Sequence, residues 1–167
     1  MRVVHKIDQV RSFVREIGRS TIGLTATLGA LHEGHRSLVE YACARGDTVI
    51  GTLFLTPSQI ADDDDLESYP RTLEEDLKLF QDAGASLVFT PLVSTMYPPR
   101  FDTTVMPGRV AENLEGASRP GHFQGVCTVV TKLLNIVTPA RAYFGQKDAQ
   151  QIAVLRRMIS DLDMDVD

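Results

Sequence analysis

Tryptophan is absent from the 167 residues, and cysteine occurs only twice, at Cys43 and Cys127. Two cysteines so far apart frame no disulfide scaffold. Both sit in apolar patterns, the setting of buried free thiols in a reducing compartment. Long hydrophobic runs are missing too: none approaches the ~18 residues that span a bilayer. Residues 1–20 carry charges throughout and hold no signal-peptide core. Basic surplus is also lacking. Seventeen Lys and Arg stand against 22 Asp and Glu, a net charge of −5, which leaves no general electrostatic case for binding nucleic acid. There is no internal repeat, no low-complexity tract, and no glycine-rich fingerprint of the G-x-G-x-x-G or Walker type. The acidic run Asp62 to Asp65 lacks the Gly-x-Glu spacing of a calcium loop. It reads as a solvated loop, and no protein metal site is expected. These absences describe a cytoplasmic protein with no membrane or nucleic-acid partner.

What is present is alternation. At 43% hydrophobic, the chain can bury one domain's core. Val10, Phe13, Val14 and Ile17 recur at helical spacing across 8–17, with Asp8 able to cap and Gly18 to stop the helix. A strand follows at 21–27, a helix at 37–45 and an apolar strand at 48–55, together a β-α-β unit. Thr72 and Glu75 have the types of a capping box, ahead of a helix whose buried side is Leu73, Leu77, Phe80 and Ala83. A short strand is expected at 86–89. The proline-rich stretch 91–108 reads as loop with a short strand at 103–106. A flexible segment at 116–125 leads to an apolar helix at 126–137, a strand at 142–144 and a helix at 148–162. Residues 163–167 look like the entry to one more strand. The pattern predicts an α/β fold, a doubly wound parallel sheet with helices on both faces, in one Rossmann-like domain over 1–167.

In such sheets, ligands bind at the carboxyl ends of the strands. Three stretches fall there. The first is Leu28-Gly29-Ala30-Leu31-His32-Glu33-Gly34-His35, a turn into a helix. Its free N–H groups and positive dipole end suit phosphate, and two imidazoles add donors or a proton. The second is the loop after residue 55, with Gln59 as a polar group aimed at substrate. The third is Gly145-Gln146-Lys147-Asp148, where Lys147 can meet phosphate as a point charge and Asp148 and Gln151 have the types of a reciprocal cap. Two phosphate-suited turns around a His-x-Gly-His core point to chemistry at the α-phosphate of a nucleoside triphosphate. Arg119 and His122, on the 116–125 segment, are candidates to close over an anion.

On these motifs the chain resembles the pantothenate synthetase (pantoate–β-alanine ligase) family of the His-x-Gly-His nucleotidyltransferase superfamily. The match also takes in Tyr69-Pro70-Arg71, Phe89-Thr90-Pro91, Met96-Tyr97-Pro98, Arg119-Pro120-Gly121-His122-Phe123 and Phe144 to Gln151. The resemblance implies ligation of pantoate and β-alanine through a pantoyl adenylate, with ATP as substrate, Mg2+ carried with it, and AMP and pyrophosphate released. It implies catalytic roles for His35, His32 and Lys147, and ATP contacts from residues 28–35 and Gly145 to Asp148. It also implies pantoate contacts from Gln59 and Gln151, β-alanine near Gln59, substrate-side roles for Arg119 and His122, and a cytoplasmic homodimer. The family pattern differs at Ala26, usually Pro, and at Thr56, usually Asn. The sequence stops before the family's small C-terminal lid domain, so impaired catalysis is expected of these residues alone. Two other readings fit the same turns: a nucleotidyltransferase acting on a phosphorylated cofactor precursor, and a non-catalytic nucleotide-binding or dimerisation module.

Overall fold

The computed structural model describes residues 1–55 and 72–167. Thr56, Gln59, the acidic run at 62–65 and the motif at 69–71 lie outside the described residues.

Among the described residues, five parallel strands form one sheet in the order β1-β4-β3-β2-β5: β1 (Arg2–Val4), β2 (Ile22–Thr27), β3 (Thr48–Leu53), β4 (Leu87–Phe89) and β5 (Arg141–Tyr143). The α-helices among the described residues are α1 (Ile7–Ile17), α2 (Glu33–Ala44), α3 (Leu73–Asp82), α4 (Val93–Met96), α5 (Glu115–Ser118), α6 (His122–Val137) and α7 (Ala149–Asp161). The centre of the sheet is buried on both sides, as β3 illustrates with five buried residues in succession. One core, around Ile22, Leu24, Ile50, Leu87 and Phe89, is closed by α1, α6 and α7. The other, around Val39, Ala42, Val49, Phe80 and Val88, is closed by α2 and α3. The doubly wound expectation holds.

Connectivity sets the site. From β2 the chain steps to β3 and β4 on one side, then returns through α6 to place β5 on the other side of β2. The connections leaving β2 and β5 therefore diverge, to α2 on one face and toward α7 on the other. That is the switch point at which a crevice opens in this architecture.

Several local expectations are corrected. The edge strand β1 has no counterpart among the expected elements, since three residues flanked by charges give no alternation to read. Helix α1 begins at Ile7, so Asp8 lies within its first turn, while Gln9 Oε1 accepts from the Lys6 and His5 amides at 3.0 and 3.2 Å. Residues 103–106 form no strand. The 116–125 segment carries α5 and the start of α6, whose first residue is His122. The capping boxes expected at Thr72 and Asp148 are not made, because neither side chain bonds its helix's amides. Leu73 is half exposed, and the buried side of α3 opens instead with Asp76. Cys127 is buried as expected, with burial pushing its thiol up to about 11, while Cys43 is only partly buried. At the far end, Asp167 N donates to Ala140 O at 3.0 Å and Ala142 N to Asp167 O at 2.8 Å, the bonding of one more parallel strand beside β5. Among the described residues, no helix is long and apolar enough to cross a membrane.

Candidate active site

The crevice between the ends of β2 and β5 is a cleft of about 590 Å³. The turn after β2 forms one wall. Gly29 has φ +102° and Ala30 φ +53°, a left-handed kink that a glycine adopts freely and an alanine only at some strain. The kink turns the chain out of the sheet and into α2.

The start of α2 is built by its own histidines. His32 is the N-cap residue, and its Nδ1 accepts from Gly34 N at 3.0 Å. His35 Nδ1 reaches back to accept from His32 N at 3.2 Å. This is the logic of a capping box, with imidazoles where hydroxyl and carboxylate usually stand. It corrects the expectation that bare amides face the ligand, since the rings occupy two of them. Each Nδ1 accepts from a backbone donor, an arrangement that calls for the tautomer with its proton on Nε2, away from the backbone. The helix end thus offers two imidazole N–H donors to the cleft. The ring centroids are 4.2 Å apart. The glycine between them has no room for a side chain: a Cβ on Gly34 would lie 2.8 Å from His32 Cε1. Burial holds His35 below its ordinary pKa; the charges of His32 and Lys147 push the same way, while Asp76 and Asp148 oppose.

The opposite wall is the turn after β5. Gly145, Gln146, Lys147 and Asp148 line the cleft, the last three in a 3₁₀ turn, with Gln151 from the first turn of α7. Lys147 is exposed, its Nζ 3.9 Å from Asp148 Oδ1, which leaves it able to swing onto an anion. Phe54 and the α6 residues Val126, Val129, Val130 and Leu133 supply apolar lining. The cleft therefore joins a polar mouth of imidazole, ammonium and amide to an apolar flank, which suits a charged phosphate group next to an aliphatic acid.

Of the residues expected from sequence, Leu28, Gly29, Ala30, His32, Gly34, His35, Gly145, Gln146, Lys147, Asp148 and Gln151 meet here. Two residues of the first motif do not face the cleft. Leu31 packs toward the α2–α3 core, and Glu33 Oε1 accepts from Arg36 Nε at 3.2 Å on the helix surface. Arg119 and His122 do not line it either: Arg119 Nη1 donates to Glu115 Oε1 at 2.8 Å, and His122 Nε2 is 3.7 Å from the same oxygen. The chain just before their segment is tied to α7, because Gln150 donates from Nε2 to Asn113 O at 2.7 Å and accepts at Oε1 from Glu115 N at 3.0 Å. Sequence reasoning missed Asp76. Its Oδ2 accepts from Ala30 N at 2.9 Å and its Oδ1 from Leu31 N at 2.7 Å. It also missed the apolar flank from α6 as part of a site; the unbroken apolar face of that helix was the available signal.

The family model for pantoate–β-alanine ligase matches residues 2–167. The chain belongs to the pantoate–β-alanine ligase family. It is similar to pantothenate synthetases of Thermotoga neapolitana, at 52% identity over 169 residues, and of Roseiflexus castenholzii, at 52% over 167 residues. Each alignment takes in 100% of this chain and 60% of the relative. The crystal structure of pantothenate synthetase from Thermus thermophilus superposes with a TM-score of 0.94 at 45% identity, again over 100% of this chain and 60% of that one. The Francisella tularensis pantoate–β-alanine ligase, crystallised in complex with β,γ-ATP and β-alanine, gives 0.94 at 35% identity, over 99% of this chain and 64% of that one. The chain thus spans about 60% of the length of the curated relatives it matches.

Proposed function

We propose that this chain is the nucleotide- and hydroxy-acid-binding part of a ligase that joins pantoate to β-alanine at the expense of ATP. The observation that carries the reading is the single cleft in which the paired imidazoles at the start of α2 face Lys147, Asp148 and Gln151. That layout suits attack at an α-phosphate. A carboxylate oxygen of pantoate forms the new bond to phosphorus as the bond to pyrophosphate breaks, giving pantoyl adenylate. The His32 and His35 Nε2–H groups and the Lys147 ammonium stabilise charge that spreads over the phosphate oxygens. Asp148 is placed to accept from ribose hydroxyls, and Mg2+ arrives with the triphosphate. The amide of Gln151 suits the hydroxyl and carboxylate of pantoate, whose methyl groups meet the α6 flank. The neutral amine of β-alanine then attacks the acyl carbon, the acyl C–O bond to the phosphate breaks, the nitrogen gives up one proton to solvent, and pantothenate and AMP leave. Gln59 enters this reading from the family motif alone, as a contact for pantoate and β-alanine.

The relatives' names and the nucleotide and β-alanine held by the Francisella enzyme support this choice of substrates. Residues 1–167 taken alone are expected to ligate poorly, since an open cleft admits water and leaves departing pyrophosphate less compensated. A cytoplasmic homodimer completes the proposal. The test is pantoate-dependent exchange of labelled pyrophosphate into ATP, on a protein extended to the length of its relatives. Exchange above the pantoate-free background is expected; a folded protein without it refutes the ligase. Calorimetric titration of the 167-residue chain with ATP and then pantoate separates a working half-site from a non-catalytic nucleotide-binding module, which would bind ATP and ignore pantoate.

A further inference from the structure

Asp76 is a buried carboxylate whose position needs an account. It is 4% exposed, and among the described residues it has no cation within ion-pair distance. Removing a charge from water without pairing it is unfavourable, so such a group is normally replaced or neutralised. Three features compensate it here. It lies in the first turn of α3, close to the helix's positive end. Its two oxygens each accept a backbone N–H, from Ala30 at 2.9 Å and Leu31 at 2.7 Å. It is also anchored from below. Phe80, one turn further along the same face, is buried on β3, where a Cβ on Gly51 would lie 2.4 Å from the Phe80 ring.

The two amides it holds belong to the left-handed kink between β2 and α2. The carboxylate also sits beneath Gly29, where a Cβ would approach Asp76 Oδ2 to 3.2 Å. Ala30 adopts φ +53° without glycine's freedom, and conformations of this kind persist only where the surroundings hold them. Three residues beyond the second amide stands Gly34, with a histidine on each side. The shape of the kink therefore sets where the imidazoles and the first turn of α2 stand relative to Lys147 across the cleft. The carboxylate's charge also favours a proton on His35, as does an arriving phosphate.

We propose that Asp76 is a positioning residue for the nucleotide. Its two amide bonds lock the Gly29–Ala30 kink, so that the wall carrying His32 and His35 is in its ligand-ready shape before ATP arrives. A preorganised wall avoids the ordering that binding would otherwise have to bring about. The proposal rests on the reading of the cleft as an ATP site.

The experiment uses the 167-residue chain and compares the unmodified protein with Asp76→Asn, Asp76→Glu and Asp47→Asn. Asp76→Asn keeps the volume but sets an NH2 against one of the two amides. Asp76→Glu keeps the charge and both oxygens but displaces them. Asp47→Asn disturbs a buried acid that does not line the cleft and controls for general loosening. The readouts are ATP affinity by calorimetry and the Ala30 and Leu31 amide resonances in 1H–15N spectra. Expected are a tenfold or larger loss of ATP affinity for Asp76→Asn, a smaller loss for Asp76→Glu, and displacement of those two resonances in both. Asp47→Asn should bind ATP as the unmodified protein does. Unchanged ATP affinity in a folded Asp76→Asn protein, or an equal loss in Asp47→Asn, overturns the proposal. Should Asp76→Asn fail to fold, Asp76→Glu decides: weakened binding with the two amides displaced supports the proposal, and any other result overturns it. An unmodified chain that binds no ATP refutes the nucleotide site itself, and the positioning role falls with it; ATP binding indifferent to Asp76 refutes the positioning role alone.

Discussion

The two edges of the sheet each bury an aspartate and use it in opposite ways. At the amino edge, Asp47 sits just before β3 and receives both Arg141 Nε and Nη2 from the first residue of β5. Tyr143 OH donates to its Oδ2 at 2.5 Å. Gly23 leaves room, since a Cβ there would come within 2.9 Å of Asp47 Oδ2. Charge meets charge, each oxygen is satisfied, and the cluster ties β3 to β5 across β2. At the carboxyl edge, Asp76 holds backbone amides alone among the described residues, and the polar groups of Lys147, Gln151, His32 and His35 line an open cleft. One edge has spent its polar groups on the fold; the other keeps them for a ligand. The contrast predicts that changes at the amino edge act on stability and changes at the carboxyl edge act on binding.

The largest expected effect is at the amino edge. Asp47→Ala strands the Arg141 guanidinium beside a buried hole and should lower unfolding free energy by about 3 kcal/mol, the lower end for breaking a buried pair because Arg141 keeps some solvent contact. ATP affinity of the remaining folded protein should not change. Urea unfolding and calorimetry check the two halves. Acid sharpens the result. The hydrogen bonds from Arg141 hold the Asp47 carboxyl below its ordinary range. A depressed pKa gives stability that is fully present above the unfolded value of about 3.9 and is lost as pH falls through the folded one. The stability gap between unmodified and Asp47→Asn proteins should therefore be wide at neutral pH and close in acid.

The counterpart is His35→Ala, which removes a donor aimed at developing phosphate charge. Pantoate-dependent exchange in a protein of the relatives' length should fall about 100-fold. Stability should change much less, by about 1 kcal/mol for the lost bond from His32 N. Loss of fold in parallel with loss of exchange would erase the distinction between the edges.

What could be read from the sequence follows the same division. His32, Gly34, His35, Gly145, Lys147 and Gln151 are legible because each lies within eight residues of a strand's carboxyl end, and topology alone sends those ends to one edge. The sheet class is legible because apolar runs alternate with helical periodicity. Asp76 was not legible, being supplied to the kink from 46 residues beyond Ala30; its local context, three acids in a first turn, reads as ordinary helix-start chemistry. The Asp47–Arg141 pair spans 94 residues and gives no local sign. The capping boxes expected at Thr72 and Asp148 show the converse failure. The residue types fit, but Thr72, at φ −108° and ψ 40°, bonds no amide of its helix. Asp148 Oδ1 lies toward Lys147. A motif of types fixes what a side chain can do and leaves open which neighbour it meets.

Gly34→Ala puts local propensity and site geometry in opposition. Alanine within a helix is favoured over glycine by about 1 kcal/mol, so α2 by itself should gain. The added Cβ, however, would lie 2.8 Å from His32 Cε1 and 3.0 Å from its Nδ1, which forces that ring off the amide it caps. ATP affinity should fall about tenfold, the scale of one displaced hydrogen-bonding group, while the melting temperature holds or rises. A variant that binds ATP normally would show that His32 need not keep its present rotamer.

The smallest effect is a fraction of a proton, and it reports most directly on the carboxyl edge. Burial and the neighbouring His32 hold the His35 pKa below its ordinary value of 6.5, so the ring is neutral in the free protein near pH 7. A triphosphate placed against its Nε2–H favours the charged form, which raises the pKa in the complex. Between the two values binding must take up protons, and ATP affinity must rise as pH falls toward the free-state pKa. Calorimetry in buffers of different ionisation enthalpy measures that uptake. His35→Gln, which keeps a donor but cannot titrate, should abolish it. Asp47→Asn should leave it intact, because no charge at the amino edge is among those acting on His35. Equal uptake in the His35→Gln protein would assign the proton to another group, with the adjacent His32 ring the next to test. Folding shows the opposite dependence. A histidine whose pKa is depressed in the folded state draws protons to the unfolded chain, so its contribution to stability is lost as pH falls below the unfolded value of about 6.5. Acid should therefore tighten the nucleotide while loosening the wall that holds it.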